Sequence, residues 1–136
     1  MLLAIGLQES RFRYRIQRPA GPARGFWQFE RGGGVAGVLT HSSSRAHLRD
    51  ALVRLCYAPD MASAELHTVI AHNDIAAAVC ARLLLWTDPR PLPRTHEGDI
   101  GWACYLRNWR PGTPHIETWP GFYAAAWHRV SPLSLA

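Results

Sequence analysis

An all-α fold is what this chain predicts, and three observations carry the prediction. Apolar residues recur at helical spacing in five separate stretches, whereas no run alternates with the period of two that a half-buried strand requires. The 136 residues are 48% hydrophobic and 18% charged, enough apolar material for one domain with its own core. There is no internal repeat, and no change in composition marks a second domain, so residues 1–136 are expected to form a single unit.

The first helix is expected over residues 2–15. On a helical wheel Leu2, Ile5, Glu9, Phe12 and Ile16 share one stripe, while Gln8, Arg11 and Arg15 point elsewhere. Residues 18–34 hold two prolines and repeated glycines and should form a long structured loop. Ser42, Ser43 and Ser44 offer N-caps for a helix running to about Ala58, where Pro59 ends it. Residues 62–86 carry Leu66, Ile70, Ala77, Cys80 and Leu84 at helical spacing, with Asn73-Asp74 in the middle able to cap a second helix. Asp88-Pro-Arg-Pro-Leu-Pro93 reads as a stiff, extended connection. A helix over 97–109 should stop at Arg110-Pro111-Gly112. The last helix runs from about Thr118 to Val130, with Pro120 tolerated in its first turn.

Composition excludes several functional classes. No apolar run approaches the roughly 20 residues that span a bilayer, so membrane insertion is not expected. The apolar start, Met1 to Leu7, has no basic region before it and meets Gln8 and Glu9 at once, unlike a signal peptide. Synthesis in a bacterial cytoplasm follows as the expectation. Cys56, Cys80 and Cys104 are odd in number and widely spaced, which reads as buried, reduced thiols. Seven scattered histidines without an HExxH motif call for no metal site, and nothing calls for a cofactor. A net charge of +5, carried by arginine, favours an anionic partner. Nucleic acid is not the expected one, because no zinc-finger, RNP-like or helix-turn-helix signature accompanies the charge.

Glu9 is the residue that bears chemistry. Burying a carboxylate in an apolar stripe raises its pKa, which is what a general acid for a glycosidic oxygen needs. Beyond it, Gly21 and Gly25 permit tight turns, and Phe26, Trp27 and Phe29 are flat apolar faces of the kind that stack on sugar rings. Gln28 could read acetamido or hydroxyl groups, and Ser10 could orient Glu9 through the backbone. Glu30 is expected to cap the loop or pair with Arg24 or Arg31, with orientation of a water molecule as the alternative. Trp86, Trp102, Trp109, Trp119 and Trp127 fall mostly on helical stripes and read as core residues.

Glu9-Ser10-Arg11-Phe12, followed by Gly21-x-x-x-Gly25-Phe26-Trp27-Gln28, resembles the signature of the lytic transglycosylase and goose-type lysozyme group. Asn73-Asp74-Ile75 resembles that group's asparagine-isoleucine helix start, and Trp102-x-x-Tyr105 stands where it has an Ala-Tyr-Asn-Ala-Gly segment. Residues 105–119 are similar to small phage and prophage proteins carrying the same domain. The resemblance implies a lysozyme-like helical fold and cleavage of peptidoglycan between N-acetylmuramic acid (MurNAc) and N-acetylglucosamine (GlcNAc). It implies Glu9 as acid and then base, and Ser10, Phe26, Trp27, Gln28, Asn73 and Tyr105 as substrate contacts. It further implies glycan strands as the partner of a monomer that acts at the cell wall, as a virion-associated or lysis protein. Phe26-Trp27 replaces the group's Leu-Met, and Tyr105 is followed by Leu106-Arg107 rather than Asn-Ala. Relatives carry a helix ahead of the catalytic one; without it, the Leu3/Leu7 side is expected to be exposed.

Overall fold

The first helix, α1, spans Leu2–Ser10 in a computed structural model that describes residues 1–131. It stops short of the expected residue 15 because Phe12 has a better place to go. Arg11 and Phe12 both take the left-handed conformation, at φ 54° and 55°, and the Arg11 N–H closes the helix on the Leu7 carbonyl at 3.1 Å. Phe12 then folds back over Gly6, where a Cβ would collide with its ring. Its ring meets Phe26 and Trp27 edge-on at centroid distances of 5.5 and 5.6 Å. Two left-handed residues cost about 2–4 kcal/mol together, which partial burial of the Phe12 ring and its two aromatic pairs offset. Ile16 thereby leaves the stripe and lies half exposed in an isolated bridge to Arg24.

Seven α-helices and no β-strand occur among the described residues, which makes the fold all-α. After the loop, a widened turn over Arg31–Val35 leads into α2 (Ala36–Thr40). Helix α3 covers Arg45–Arg54, shorter than the span of 42–58 that the serines and Pro59 suggest. Ser44 does not cap it. Its buried hydroxyl donates to the Val38 carbonyl at 2.8 Å instead, tying the α2–α3 turn together. The chain divides at Asn73 as the sequence predicts, giving α4 (Ser63–His72) and α5 (Asp74–Trp86). The Asn73 side chain accepts from the Ile75 and Ala76 N–H groups at 3.0 Å each, and the Glu65 carboxylate accepts from the Ala62 N–H at 2.8 Å. Helix α6 is Gly98–Trp109 and α7 is Trp119–Val130, both within a residue or two of their expected limits.

Helix α5 is the centre of the core, burying Ala76, Ala77, Cys80, Ala81 and Leu83 to Leu85. Its small residues let α3 and α4 approach, bringing Leu48, Leu52, Leu66 and Ile70 onto it. Helix α1 packs mainly on α7, and Leu3 and Leu7 are partly buried against the core rather than exposed. Two other expectations fail. Cys56 is exposed, in a left-handed turn after α3 at φ 64°, whereas Cys80 and Cys104 are buried and burial pushes the Cys80 thiol up to about 12. Trp86 lies half exposed at the end of α5, stacked under Arg82 with its ring 5.2 Å from the guanidinium. No described helix is long and apolar enough to cross a membrane.

Candidate active site

The C-terminal end of α1 opens onto a groove of about 990 Å³. Gln8, Glu9 and Ser10 form one side, and Tyr105, Asn108 and Trp109 of α6 line it as well, with Gln28 and Phe29 contributed by the loop. The short length of α1 matters here: because the helix stops at Ser10, Glu9 sits in its last turn at the groove. Burial raises the Glu9 carboxyl from an ordinary 4.5 to about 7, while one hydrogen bond acts in the opposite direction. That bond comes from the Tyr105 hydroxyl, which donates to Glu9 Oε1 at 2.6 Å. An O–H to carboxylate contact of this length is a strong, charge-assisted bond, and it holds the carboxylate in one orientation.

Tyr105 is itself held by an aromatic column. Its ring stacks on Trp119 at 5.4 Å and 16°, and lies 5.2 Å from Trp102. Trp119 donates its indole N–H to the Gly98 carbonyl at 2.9 Å, and Tyr123 donates its hydroxyl to the Arg94 carbonyl at 2.7 Å. Gly101 is needed for this packing, since a Cβ there would lie 2.5 Å from the Tyr123 ring. The neighbours of Glu9 are fixed as well. The Gln8 amide donates to the His115 carbonyl at 3.0 Å and accepts from the Thr118 hydroxyl at 3.1 Å, joining α1 to the segment before α7. Ser10 donates to the Phe26 carbonyl at 2.7 Å, joining α1 to the loop.

The loop closes on itself between Arg24 and Phe29, whose N–H and carbonyl groups pair in both directions at 2.8–2.9 Å. Gly25 begins the turn at φ 72°, pressed against α4 so closely that a Cβ would lie 2.6 Å from Ile70. Gln28 follows at φ 52°, lines the groove, and donates its side-chain amide N–H to the Gly25 carbonyl at 2.9 Å. Trp27 goes the other way. It is 6% exposed, belongs to the core, and donates its indole N–H to the Leu2 carbonyl at 2.9 Å. Trp109 in turn donates to the Trp27 carbonyl at 2.8 Å, so one residue joins α1, the loop and α6.

Of the residues singled out in the sequence, Glu9, Ser10, Gln28 and Tyr105 therefore meet along one groove. Phe26, Trp27 and Asn73 do not line it. Trp27 is recruited inward, and Phe26 is covered by the Arg15 guanidinium at 4.3 Å. Asn73 spends its oxygen on the α5 cap and its amide N–H on the Tyr57 hydroxyl at 3.2 Å. Glu30 lies at the groove, exposed, and its side chain forms no ion pair with Arg24 or Arg31; its carbonyl caps the following turn by accepting from Gly33 and Val35.

Asp88, which carried no functional signal in the sequence, organises another part of the wall. Its Oδ2 accepts from Arg107 at 2.8 Å and from Asn108 at 3.0 Å, and both donors line the groove. The only local clue was an Asx turn, with the Arg90 N–H bonded to Asp88 Oδ1. Gln8 and Trp109 were also missed as groove residues, because their positions depend on how α1 and α6 approach each other.

The comparisons with known proteins add nothing to this geometry: no family model matches the chain, and neither a curated protein nor a solved structure does.

Proposed function

We propose that this chain is a peptidoglycan lytic transglycosylase, cleaving the β-1,4 bond between MurNAc and GlcNAc. The observation that carries the proposal is Glu9, a carboxylic acid titrating near neutrality in a groove and hydrogen-bonded by Tyr105 at 2.6 Å. With a pKa of about 7, Glu9 is present in both protonation states at neutral pH, and the reaction uses both. The protonated form gives its proton to the departing GlcNAc oxygen as the glycosidic bond breaks, and the muramyl acetamido group assists from within the substrate. The resulting carboxylate then takes the proton of the muramyl 6-hydroxyl, whose oxygen attacks the anomeric carbon and closes a 1,6-anhydro ring. One carboxylate serves both steps. Lysozyme raises its own acid glutamate by setting it in an apolar pocket, and the same physics applies to Glu9.

Gln28, whose amide nitrogen is bound to the backbone, has its side-chain oxygen to accept from an acetamido N–H, and Ser10 acts through the backbone of the turn that presents Gln28. On this reading the partner is the glycan strand, contacted by a monomer. Delivery to the wall as a virion-associated or lysis protein is proposed from the sequence resemblance of residues 105–119 alone. A second reading, a muramidase-type hydrolase, is favoured by Glu30, an ion-pair-free carboxylate at the same groove that could direct a water molecule.

Mass spectrometry of fragments released from purified peptidoglycan separates these readings. Anhydromuramyl ends from the wild type, lost in Glu9→Gln, are the expected result. Glu9-dependent reducing muramyl ends would move the assignment to the hydrolase. No release by a folded wild-type chain would leave a glycan-binding protein without turnover.

A further inference from the structure

We infer that the groove is specific for a glycan bearing carboxylate groups, and that Arg18, Arg31 and Arg110 recognise those groups. The inference rests on the glycan-cleaving reading of the groove and names the substrate feature that selects among glycans. The groove does not end at Glu30. Glu30 and Gly32 also line a shallower depression of about 340 Å³, whose remaining walls include Arg24, Arg31 and His67. A polymer leaving the groove past Glu30 therefore runs directly onto a second basic surface.

The arginines along this path fall into two kinds. Arg107 is neutralised by Asp88 at 2.8 Å, and Arg24 spends its guanidinium on the carbonyls of Gly21 and Ala23. Both are structural. Arg18, Arg31 and Arg110 are exposed and make no ion pair among the described residues. Two of them are nonetheless held in place: Arg18 sits over the Tyr14 ring at 5.0 Å, and Arg110 leans its Nε on the Arg107 carbonyl at 3.3 Å. Besides Arg107, the arginines that find carboxylates among the described residues are Arg15, with Asp74, and Arg49, with Asp60. Most arginines of the chain likewise make no ion pair among the described residues, so Arg18, Arg31 and Arg110 are set apart by their position along the groove and its extension.

Guanidinium presents paired N–H donors that match a carboxylate, and it gains nothing comparable from a hydroxyl or acetamido group. A neutral glycan such as chitin would fill the groove without satisfying these arginines. A muramyl strand, with carboxylates on its lactyl groups or attached peptides, would satisfy them. Nucleic acid is the less suited polyanion, because the reaction proposed for Glu9 breaks an O-glycosidic bond between two sugars, which nucleic acid lacks.

The test uses the Glu9→Gln chain, so that binding is read without cleavage, and insoluble peptidoglycan as the probe. One portion keeps its carboxylates and the other has them amidated with ethanolamine. Co-sedimentation should show affinity falling about tenfold on amidation. The combined Arg18→Gln, Arg31→Gln and Arg110→Gln variant should lose about as much on untreated wall and respond little to amidation. Each arginine alone should account for about a twofold change, within the range of an exposed ion pair. All three side chains are exposed, and circular dichroism and the unfolding midpoint verify that the variant is folded. Equal binding to the two walls, or a triple variant that binds like its parent, overturns the inference. So does single-stranded DNA that displaces the chain from the wall at lower concentration than soluble muropeptides do. Cleavage by the wild type is followed in parallel on both walls. Charge-dependent binding without cleavage would refute the transglycosylase reading while leaving acid recognition intact. Glu9-dependent cleavage indifferent to amidation would refute acid recognition alone.

Discussion

Two aromatic-rich regions border the same groove and use their rings in opposite ways. Around Glu9, the rings of Trp102, Trp119 and Tyr123 form a column that holds Tyr105 and presents a single hydroxyl. In the Arg24–Phe29 turn, the rings of Trp27 and Phe29 are buried and only Gln28 keeps a polar end at the groove. The first region positions chemistry from packed helices; the second positions it from a backbone turn locked by Gly25. A chain of this size has little core to spare, so an aromatic in a loop is drawn inward wherever a helix end can receive it. Trp27 illustrates this, because the Leu2 carbonyl at the start of α1 accepts the indole N–H that would otherwise be buried without a partner.

The most direct challenge to this contrast is Trp27→Ala. If Trp27 is a core residue that joins α1, the loop and α6, truncation should lower stability by about 3–5 kcal/mol, as for other buried aromatics. Chemical denaturation at neutral pH measures the loss. An undisturbed midpoint combined with a raised KM would return Trp27 to the substrate and reverse the comparison.

Next in size is the strain carried by Glu9. In the folded chain its carboxyl titrates near 7 instead of 4.5, so between those values the folded state holds more protons than the unfolded state. The contribution to stability is therefore fully present below about pH 4.5, declines as the pH rises, and levels off above 7. The whole change amounts to about 3 kcal/mol. Glu9→Gln removes the titration, and its stability relative to wild type should rise steadily from about pH 5 to about pH 8. Thermal unfolding across that range checks it. A constant difference would mean that Glu9 is not held in the low-dielectric setting that its proposed role as an acid requires.

Tyr105→Phe probes the same region more finely. It deletes a donor that favours the ionised carboxylate, a bond to a charged group in the range of about 1.5–3 kcal/mol. The Glu9 pKa should move above 7, and the alkaline limb of the pH-rate profile should follow it upward. Carbon NMR of the Glu9 carboxyl reads the pKa directly, independent of turnover. A downward move would show that the hydrogen bond does not reach the carboxylate in solution.

How much of this was legible in the sequence depended on whether the signal was local. The α4–α5 break at Asn73, the Pro120 start of α7 and the end of α6 at Arg110 were readable, because capping and proline geometry act within a few residues. Glu9 stood out as a carboxylate in an apolar stripe. The extent of α1 was not readable, because Phe12 leaves the helix for partners that lie near it only in three dimensions. The same holds for Asp88, whose partners are 19 and 20 residues away, and for the Tyr105 bond to Glu9, which spans 96 positions. Composition gave the net charge of +5, but only the fold separates the paired arginines from those left free along the groove.

Asn73 offers the smallest of these tests and tells a cap from a substrate contact. Its oxygen accepts two N–H groups at the start of α5, and it lies outside the groove. Asn73→Ala should lower stability by about 1 kcal/mol, the usual worth of an N-cap. KM for peptidoglycan fragments should not change. Asn73→Asp separates the two roles further, because aspartate keeps the capping oxygen and favours the helix N-terminus electrostatically, while losing the N–H that meets Tyr57. Stability should return most of the way in the aspartate variant. If it did not, the Tyr57 bond rather than the cap would be the main contribution of Asn73. If instead KM rose in both variants while stability held, the α4–α5 junction would reach the glycan, and the groove would extend beyond the face defined by Glu9, Gln28 and Tyr105.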